Sequence, residues 1–204
     1  MTTWVIGADE VGRGCLAGPL CVGAVMVPAD MPPVEGVGDS KKLSPKKREE
    51  VAHRLRSNPK VALTRAYVHA ADIDKDGISQ CLRRAFECAI QYLLSLGESV
   101  EAIKIDGNPQ DLTFGDVPVE FIVRGDDSDW RIGAASIIAK VGRDALMVKH
   151  AEAHPGYGWE RNMGYGSPEH QEAIRVHGLT PHHRATFCRR FVQDDAVNVL
   201  DLFT

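Results

Sequence analysis

The segment Gly133-Ala134-Ala135-Ser136-Ile137-Ile138-Ala139 constrains the fold most strongly. It lies in a predicted helix, Ile132 to Met147, and is small and apolar on nearly every side. A helix without a polar face has to be covered all round, and small side chains let its neighbours come close. This helix therefore belongs inside the protein. Charge returns only at Lys140, Arg143 and Asp144.

Strand and helix signals alternate before it. Trp4-Val5-Ile6 begins a strand, and Leu20 to Val27 reads as a second. Val34 to Leu43 is a loop. Ser44-Pro45 starts a helix, with an N-cap hydroxyl and proline at the first helical position, that runs to about Ser57. Val61 to His69 predicts a strand. From Asp72 to Leu96, apolar residues such as Ile73, Leu82, Ala89 and Leu93 recur at helical spacing, and Gly97 closes the run. Ala102 to Asp106 and Pro118 to Val123 predict two more strands. After His154 the composition changes, with Pro155-Gly156-Tyr157-Gly158 and Met163-Gly164-Tyr165-Gly166, and two proline-started helices follow at Ser167-Pro168 and Thr180-Pro181. The expectation is an α/β body over 1–153 and a small helical appendage over 154–204.

A length of 204 residues and a hydrophobic share of 44% suit such an arrangement with a sizeable core. No apolar run approaches membrane-spanning length, and no basic-then-apolar leader opens the chain. Five cysteines, an odd number without a C-x-x-C pair, argue against a disulfide framework or zinc site and fit a reducing cytoplasm. A net charge of −4 does not advertise a nucleic-acid binder. Nor does it exclude one, because metal-binding carboxylates depress the count and basic residues cluster at 41–48, 140–149 and 184–190.

The chemistry concentrates in Gly7-Ala8-Asp9-Glu10-Val11-Gly12-Arg13-Gly14 and in Leu16-Ala17-Gly18-Pro19. Asp9 and Glu10 leave a strand just before a glycine-rich turn. Glycine permits close backbone approach to a ligand, and Arg13 offers a fork for phosphate. The same residues also fit a strand end with an acidic Asx-type turn. Asp106 ends a later strand, where an Asx turn is again an alternative. Asp144 lies toward the C-terminal end of the buried helix, against the dipole, with Lys140 one turn earlier as an ordinary partner. Oxygen ligands without paired histidines favour Mg²⁺ or Mn²⁺ over zinc. Two such ions roughly 4 Å apart activate water and steady the leaving oxygen in phosphoryl displacement. There is no G-x-x-x-x-G-K-[ST] segment, so nothing points to a P-loop nucleotidase.

Taken together, the chain resembles the bacterial type 2 ribonucleases H, the ribonuclease HII family. The likeness runs through the glycine turn, Asp39-Ser40-Lys41-Lys42-Leu43, Ile73-Asp74, Ile105-Asp106-Gly107-Asn108 and Gly125-Asp126. It continues through Ala134 to Lys140, Arg143-Asp144, Gly164-Tyr165-Gly166, His170, His183-Arg184 and Phe187. The resemblance implies an α/β, ribonuclease H-like mixed central sheet flanked by helices. It implies Asp9, Glu10, Asp106 and Asp144 as catalytic carboxylates holding Mn²⁺ or Mg²⁺. It implies hydrolysis of RNA in RNA–DNA hybrids and cleavage 5′ of single ribonucleotides in DNA duplexes, giving 3′-hydroxyl and 5′-phosphate ends. Gly12, Arg13 and Gly14 would read the 2′-hydroxyl, Tyr165 would stack on that sugar, Ser40 and Lys41 would hold a phosphate, and Arg184 would hold another or cap the last helix.

Cys15 and Val11 stand where proline and alanine are common in that family, while Asp127, Asp129 and Gly142 have no evident role in the sequence. The terminal Val199-Leu200-Asp201-Leu202-Phe203 resembles a sliding-clamp peptide, with Leu200, Leu202 and Phe203 as anchors; the alternative is a tail packed on its own domain. Two other functions stay open: a DNA-directed nuclease or strand transferase of similar fold, and a catalytically silent hybrid-binding module.

Overall fold

The computed structural model describes residues 2–38 and 43–192. Five strands form one mixed sheet, β1 (Trp4–Val11), β2 (Leu20–Pro28), β3 (Ala62–Val68), β4 (Val100–Asp106) and β5 (Val119–Ile122), in the order β3-β2-β1-β4-β5. The first three pair antiparallel, and β4 and β5 run parallel to β1. This is the mixed central sheet that the resemblance implies.

Helices cover both faces. On one face Ile6, Ala8, Leu20, Val22, Ala24 and Met26 pack against α3 (Ile78–Leu94). On the other, α1 (Pro45–Ser57) and the long α5 (Trp130–Ala153) bury Val25, Val51, Leu55, Ala134, Ile137 and Ile138. Residues Ile132 to Ala139 are all buried, as a helix without a polar face requires. Small residues allow the contact: a Cβ on Gly23 of β2 would lie 2.3 Å from the Ala135 carbonyl oxygen, and one on Gly7 of β1 would lie 2.4 Å from the Arg131 carbonyl carbon. Gly142 serves the same purpose, since a Cβ there would strike Arg65 and Tyr67 of β3. Its place in the helix is explained by close packing.

Two helices differ from expectation. The predicted helix from Asp72 to Leu96 is broken into α2 (Ala70–Asp76) and α3, because Gly77 takes φ +80°, outside helical space. Thr180-Pro181 starts a turn and not a helix: the Thr180 N–H and hydroxyl engage His183 Nδ1 at 2.9 and 3.0 Å. The last helix, after α4 (Gly125–Ser128), α6 (Trp159–Asn162) and α7 (Pro168–His177), is α8 (Ala185–Val192). Asp74 caps it from across the chain, accepting from the Ala185 and Thr186 amides at 2.7 and 3.0 Å. The C-terminal helices bury Tyr157, Trp159, Ile174, Cys188 and Phe191 against Leu16, Ala17 and Met147 of the body. No helix among the described residues is long and apolar enough to cross a membrane.

Candidate active site

Asp9 and Asp106 are brought together by the sheet. Ala8 lies opposite Ile105 in the parallel β1–β4 pair, so the next residue of each strand reaches the same carboxyl end. One carboxylate oxygen from each of Asp9, Glu10 and Asp106 lies within 4.8 Å of the others, the one such grouping of potential ligands among the described residues. Asp9 is 4% exposed. It accepts from the Glu10 amide at 2.7 Å and from the Ser136 side chain on α5. Burial, reinforced by the charges of Glu10 and Asp106, pushes its carboxyl up to about 8. A carboxyl so penalised is relieved by a cation, and an all-oxygen donor set suits a hard divalent ion. The residues fit such an ion.

Asp144 is not in that group. Its carboxylate accepts from Lys140 Nζ at 2.9 Å and lies 3.9 Å from the Arg48 guanidinium. The pair with Lys140 is the ordinary helix-surface partner its spacing allows. Asp144, expected in the metal-holding set, stands instead beside Lys140 and Arg48 in an ion network. Another buried acid stands nearby. Asp126, in α4, is 6% exposed, and the amide of its neighbour Gly125 donates to Asp106 Oδ1 at 2.6 Å. Asp129 and Asp127 also differ in character: Asp129 caps α5 through the Arg131 amide and pairs with Lys104 at 2.8 Å.

The glycine turn is held from behind by two buried arginines. Gly12 takes φ +88°, and a Cβ there would lie 2.2 Å from Arg143 Nε. Arg143 donates to the carbonyls of Pro19, Ala17 and Met163 at 2.8, 3.1 and 2.8 Å. Arg184, fully buried, donates to the carbonyls of Gly12, Arg13 and Gly18. Burial lowers its guanidinium to about 10. The Arg184 side chain is therefore spent on backbone, away from any phosphate, while its carbonyl accepts from the Phe187 and Cys188 amides at the start of α8. Arg13 keeps a largely exposed side chain, 3.8 Å from Glu10.

Tyr165 comes to the same place from the C-terminal segment. The Leu16 and Ala17 amides both donate to the Gly164 carbonyl, and Gly164 at φ +81° permits the approach. Glu10, Gly12, Arg13, Gly14, Arg48, Ser136, Lys140 and Tyr165 line one cavity of about 450 Å³. A second hollow joins Glu10 and Arg13 to Asp106 and Asn108. The tyrosine ring is 43% exposed and lies 5.9 Å from both Lys140 Nζ and the Arg143 guanidinium. Ser40, Lys41, Leu200, Leu202 and Phe203 lie outside the described residues.

The family model described as ribonuclease HII matches residues 6–192. Ribonuclease HII of Roseobacter denitrificans is 45% identical over 186 residues, covering 90% of this chain and 89% of that protein. That of Ruegeria pomeroyi is 43% identical, covering 90% and 75%. Among solved structures, ribonuclease H2 from Pyrococcus horikoshii OT3 superposes with a TM-score of 0.74 at 25% identity, covering 96% of this chain and all of that one. The PCNA:RNase HII complex from Archaeoglobus fulgidus gives a TM-score of 0.72 at 25% identity, covering 98% and 100%.

Proposed function

The chain belongs to the ribonuclease HII family, and from that footing we propose that it is a divalent-metal-dependent endonuclease cutting RNA–DNA hybrids and single ribonucleotides embedded in DNA. The observation that carries this reading is the placement of the Asp9–Glu10–Asp106 cluster beside a cavity walled by the glycine turn and Tyr165. Asp9, Glu10 and Asp106 hold Mn²⁺ or Mg²⁺. When bound, such ions supply the charge that activates water and steadies the leaving oxygen. Asp126 is the fourth carboxylate of this reading, in place of Asp144.

The protein's own groups do the rest. Backbone of Gly12 to Gly14 faces the 2′-hydroxyl, the group that separates RNA from DNA, while Tyr165 stacks on the sugar. Residues 1–153 act as the catalytic body, and 154–204 as the appendage that delivers Tyr165. A DNA-directed nuclease has no use for a ribose reader, and a silent binder gains nothing from carboxylates facing phosphate. The sliding clamp is proposed as partner of Leu200, Leu202 and Phe203, since the Archaeoglobus relative was solved with PCNA. Deleting Leu200 to Thr204 abolishes capture by the clamp under this reading. A cytoplasmic site of action accompanies these proposals.

The deciding experiment offers a DNA duplex with one ribonucleotide, in Mn²⁺ or Mg²⁺, to the wild type and Asp9→Asn. The wild type cuts 5′ of the ribonucleotide and the variant does not. Equal cleavage by both, or none by the wild type, removes the proposal.

A further inference from the structure

Four histidines meet outside the carboxylate cluster, and none of them lines the cavity beside it. His150 and His154 stand one turn apart at the end of α5, where the His154 amide donates to the His150 carbonyl at 2.9 Å. His182 comes from the turn that follows Thr180. Its ring centroid lies 3.9 Å from that of His150 and 5.1 Å from that of His154. His69, the residue before α2, is near enough to act electrostatically on both His150 and His182. Burial first, then the imidazoles of His182, His154 and His69, push His150 down to about 4. Burial, with His154 and His69, lowers His182 as well. Both rings are therefore neutral near pH 7, which is the form that ligates a metal.

Histidines four apart on a helix share one face, the spacing by which helical metal sites take two ligands from one element. Two imidazoles on one tetrahedral ion, with metal–nitrogen bonds of about 2 Å, place their ring centroids roughly 5 Å apart. The His154–His182 pair already has that spacing, while the His150–His182 pair is closer and must open by about 1 Å to reach it. The nitrogens are not gathered as tightly as the oxygens of Asp9, Glu10 and Asp106, so binding turns the rings. All three side chains are only partly buried, which leaves them that freedom. The cysteine pattern argues against a thiolate zinc site and says nothing of one made from imidazole. We propose that His150, His154 and His182 form a second metal site, for an imidazole-preferring transition-metal ion of the Zn²⁺ type, with water completing the coordination. The Gly18 amide donates to the His182 carbonyl at 2.8 Å, and Arg184 two residues later holds Gly12. An ion here ties the end of α5 to the segment that braces the glycine turn. Its effect is on stability, and it does not depend on the proposed function.

The test separates the two sites by their ligands. Zn²⁺ affinity of the full chain is measured by competition with a chromophoric chelator near pH 7, with saturating Mg²⁺ present for the carboxylates. One Zn²⁺ ion is expected to bind per chain at a site that Asp9→Asn retains. His150→Gln, His154→Gln and His182→Gln should each weaken that site about tenfold or more, since losing a ligand costs at least as much as losing a group behind one. Zn²⁺ should also raise the thermal midpoint of the Asp9→Asn protein, and this rise should vanish when His154→Gln is added. His154→Gln alone should keep the wild-type rate of hybrid cleavage in Mg²⁺. No Zn²⁺ bound by Asp9→Asn, or Zn²⁺ binding that survives all three histidine variants, would overturn the proposal. If His150→Gln or His182→Gln fails to fold, the affinity of His154→Gln decides, because that ring closes α5 at the surface and is the easiest to replace.

Discussion

The Arg184 guanidinium donates to the Gly12 carbonyl oxygen at 2.7 Å, joining residues 172 positions apart. The same group holds Arg13 and Gly18, so one buried side chain from the C-terminal segment fixes the shape of the N-terminal turn. Arg184→Ala removes a donor from each of those three carbonyls, two of them buried. At about 1–3 kcal/mol for each buried unsatisfied group, the loss of folding stability should reach roughly 3 kcal/mol or more. Arg184→Lys keeps the charge but not the planar fork, and recovers only part. Denaturant midpoints of the three proteins check the order.

Gly12 and Gly14 separate a structural glycine from one that leaves room for a ligand. Gly12→Ala meets Arg143 and an unfavourable φ, so it destabilises the fold. At Gly14 a Cβ meets no atom within 4 Å, and the backbone needs no glycine conformation. Gly14→Ala therefore melts like the wild type. Its methyl group enters the cavity, however, and cleavage at a single ribonucleotide falls about tenfold or more, a loss of roughly 1.4 kcal/mol in transition-state binding. A melting curve and a rate on one substrate are sufficient, and an unchanged rate would remove Gly14 from ribose recognition.

Gly23 tests the crossing of β2 and α5. The obstacle to a side chain there is the Ala135 carbonyl, which belongs to helix backbone and cannot swing aside as a side-chain tip does. Gly23→Ala should cost about 3 kcal/mol through overpacking, read as a shift of the thermal midpoint.

Much of this was legible in the chain. The all-apolar face of residues 132–139 fixed α5 inside, Ser44-Pro45 marked the start of α1, and Asp9 with Asp106 showed as acids at strand ends. What was not legible depends on distance in sequence. The periodicity around Gly77 reads as one helix because apolar spacing carries through a residue whose φ only the fold reveals. Asp74 capping α8 and Arg184 bracing Gly12 each span more than a hundred residues. The sequence offers Lys140 as partner of Asp144, but only the fold brings Arg48 of α1 beside them. Asp126, Asp127 and Asp129 read alike as a short acidic run, and only burial sets Asp126 apart.

His183 makes acid stability a readout of the C-terminal segment. Burial and the adjacent His170 lower its imidazole to about 4, below the ordinary 6.5 of an unfolded chain. The Thr180 amide donates to Nδ1, so the proton sits on Nε2, which faces His170 Nε2 at 3.2 Å. That His170 nitrogen already accepts from Trp159 Nε1, which leaves its Nδ1–H to donate to the Tyr165 carbonyl at 2.8 Å. Between pH 6.5 and 4 the unfolded chain binds a proton that the folded chain refuses, so stability falls as pH falls through that window. His183→Gln, which retains a donor near Nε2, should flatten part of that slope in melts at pH 6.5, 5.5 and 4.5.

Asp9 gives the opposite slope in metal-free protein. Burial first, then repulsion from Glu10 and Asp106, raises its carboxyl to about 8 against 3.8 for the ordinary group. At pH 3 both states are protonated and Asp9 is neutral to stability. From about pH 4 to pH 8 the unfolded chain releases the proton while the folded chain keeps it, so stability declines as pH rises and levels off above 8. In EDTA the midpoint should therefore drop between pH 5 and 8 beyond what the other groups explain. Asp9→Asn, which cannot ionise, should lose that drop and be the more stable protein at pH 8. Saturating Mn²⁺ should reverse the ranking, because the ionised wild-type cluster then has its cation and the variant has lost a ligand. Loading at pH 7 should also release protons into weakly buffered solution, since a carboxyl that is protonated without metal is deprotonated with it. A wild-type curve that stays flat from pH 5 to 8 in EDTA would mean that Asp9 ionises normally and that the cluster carries no stored repulsion for a metal to relieve.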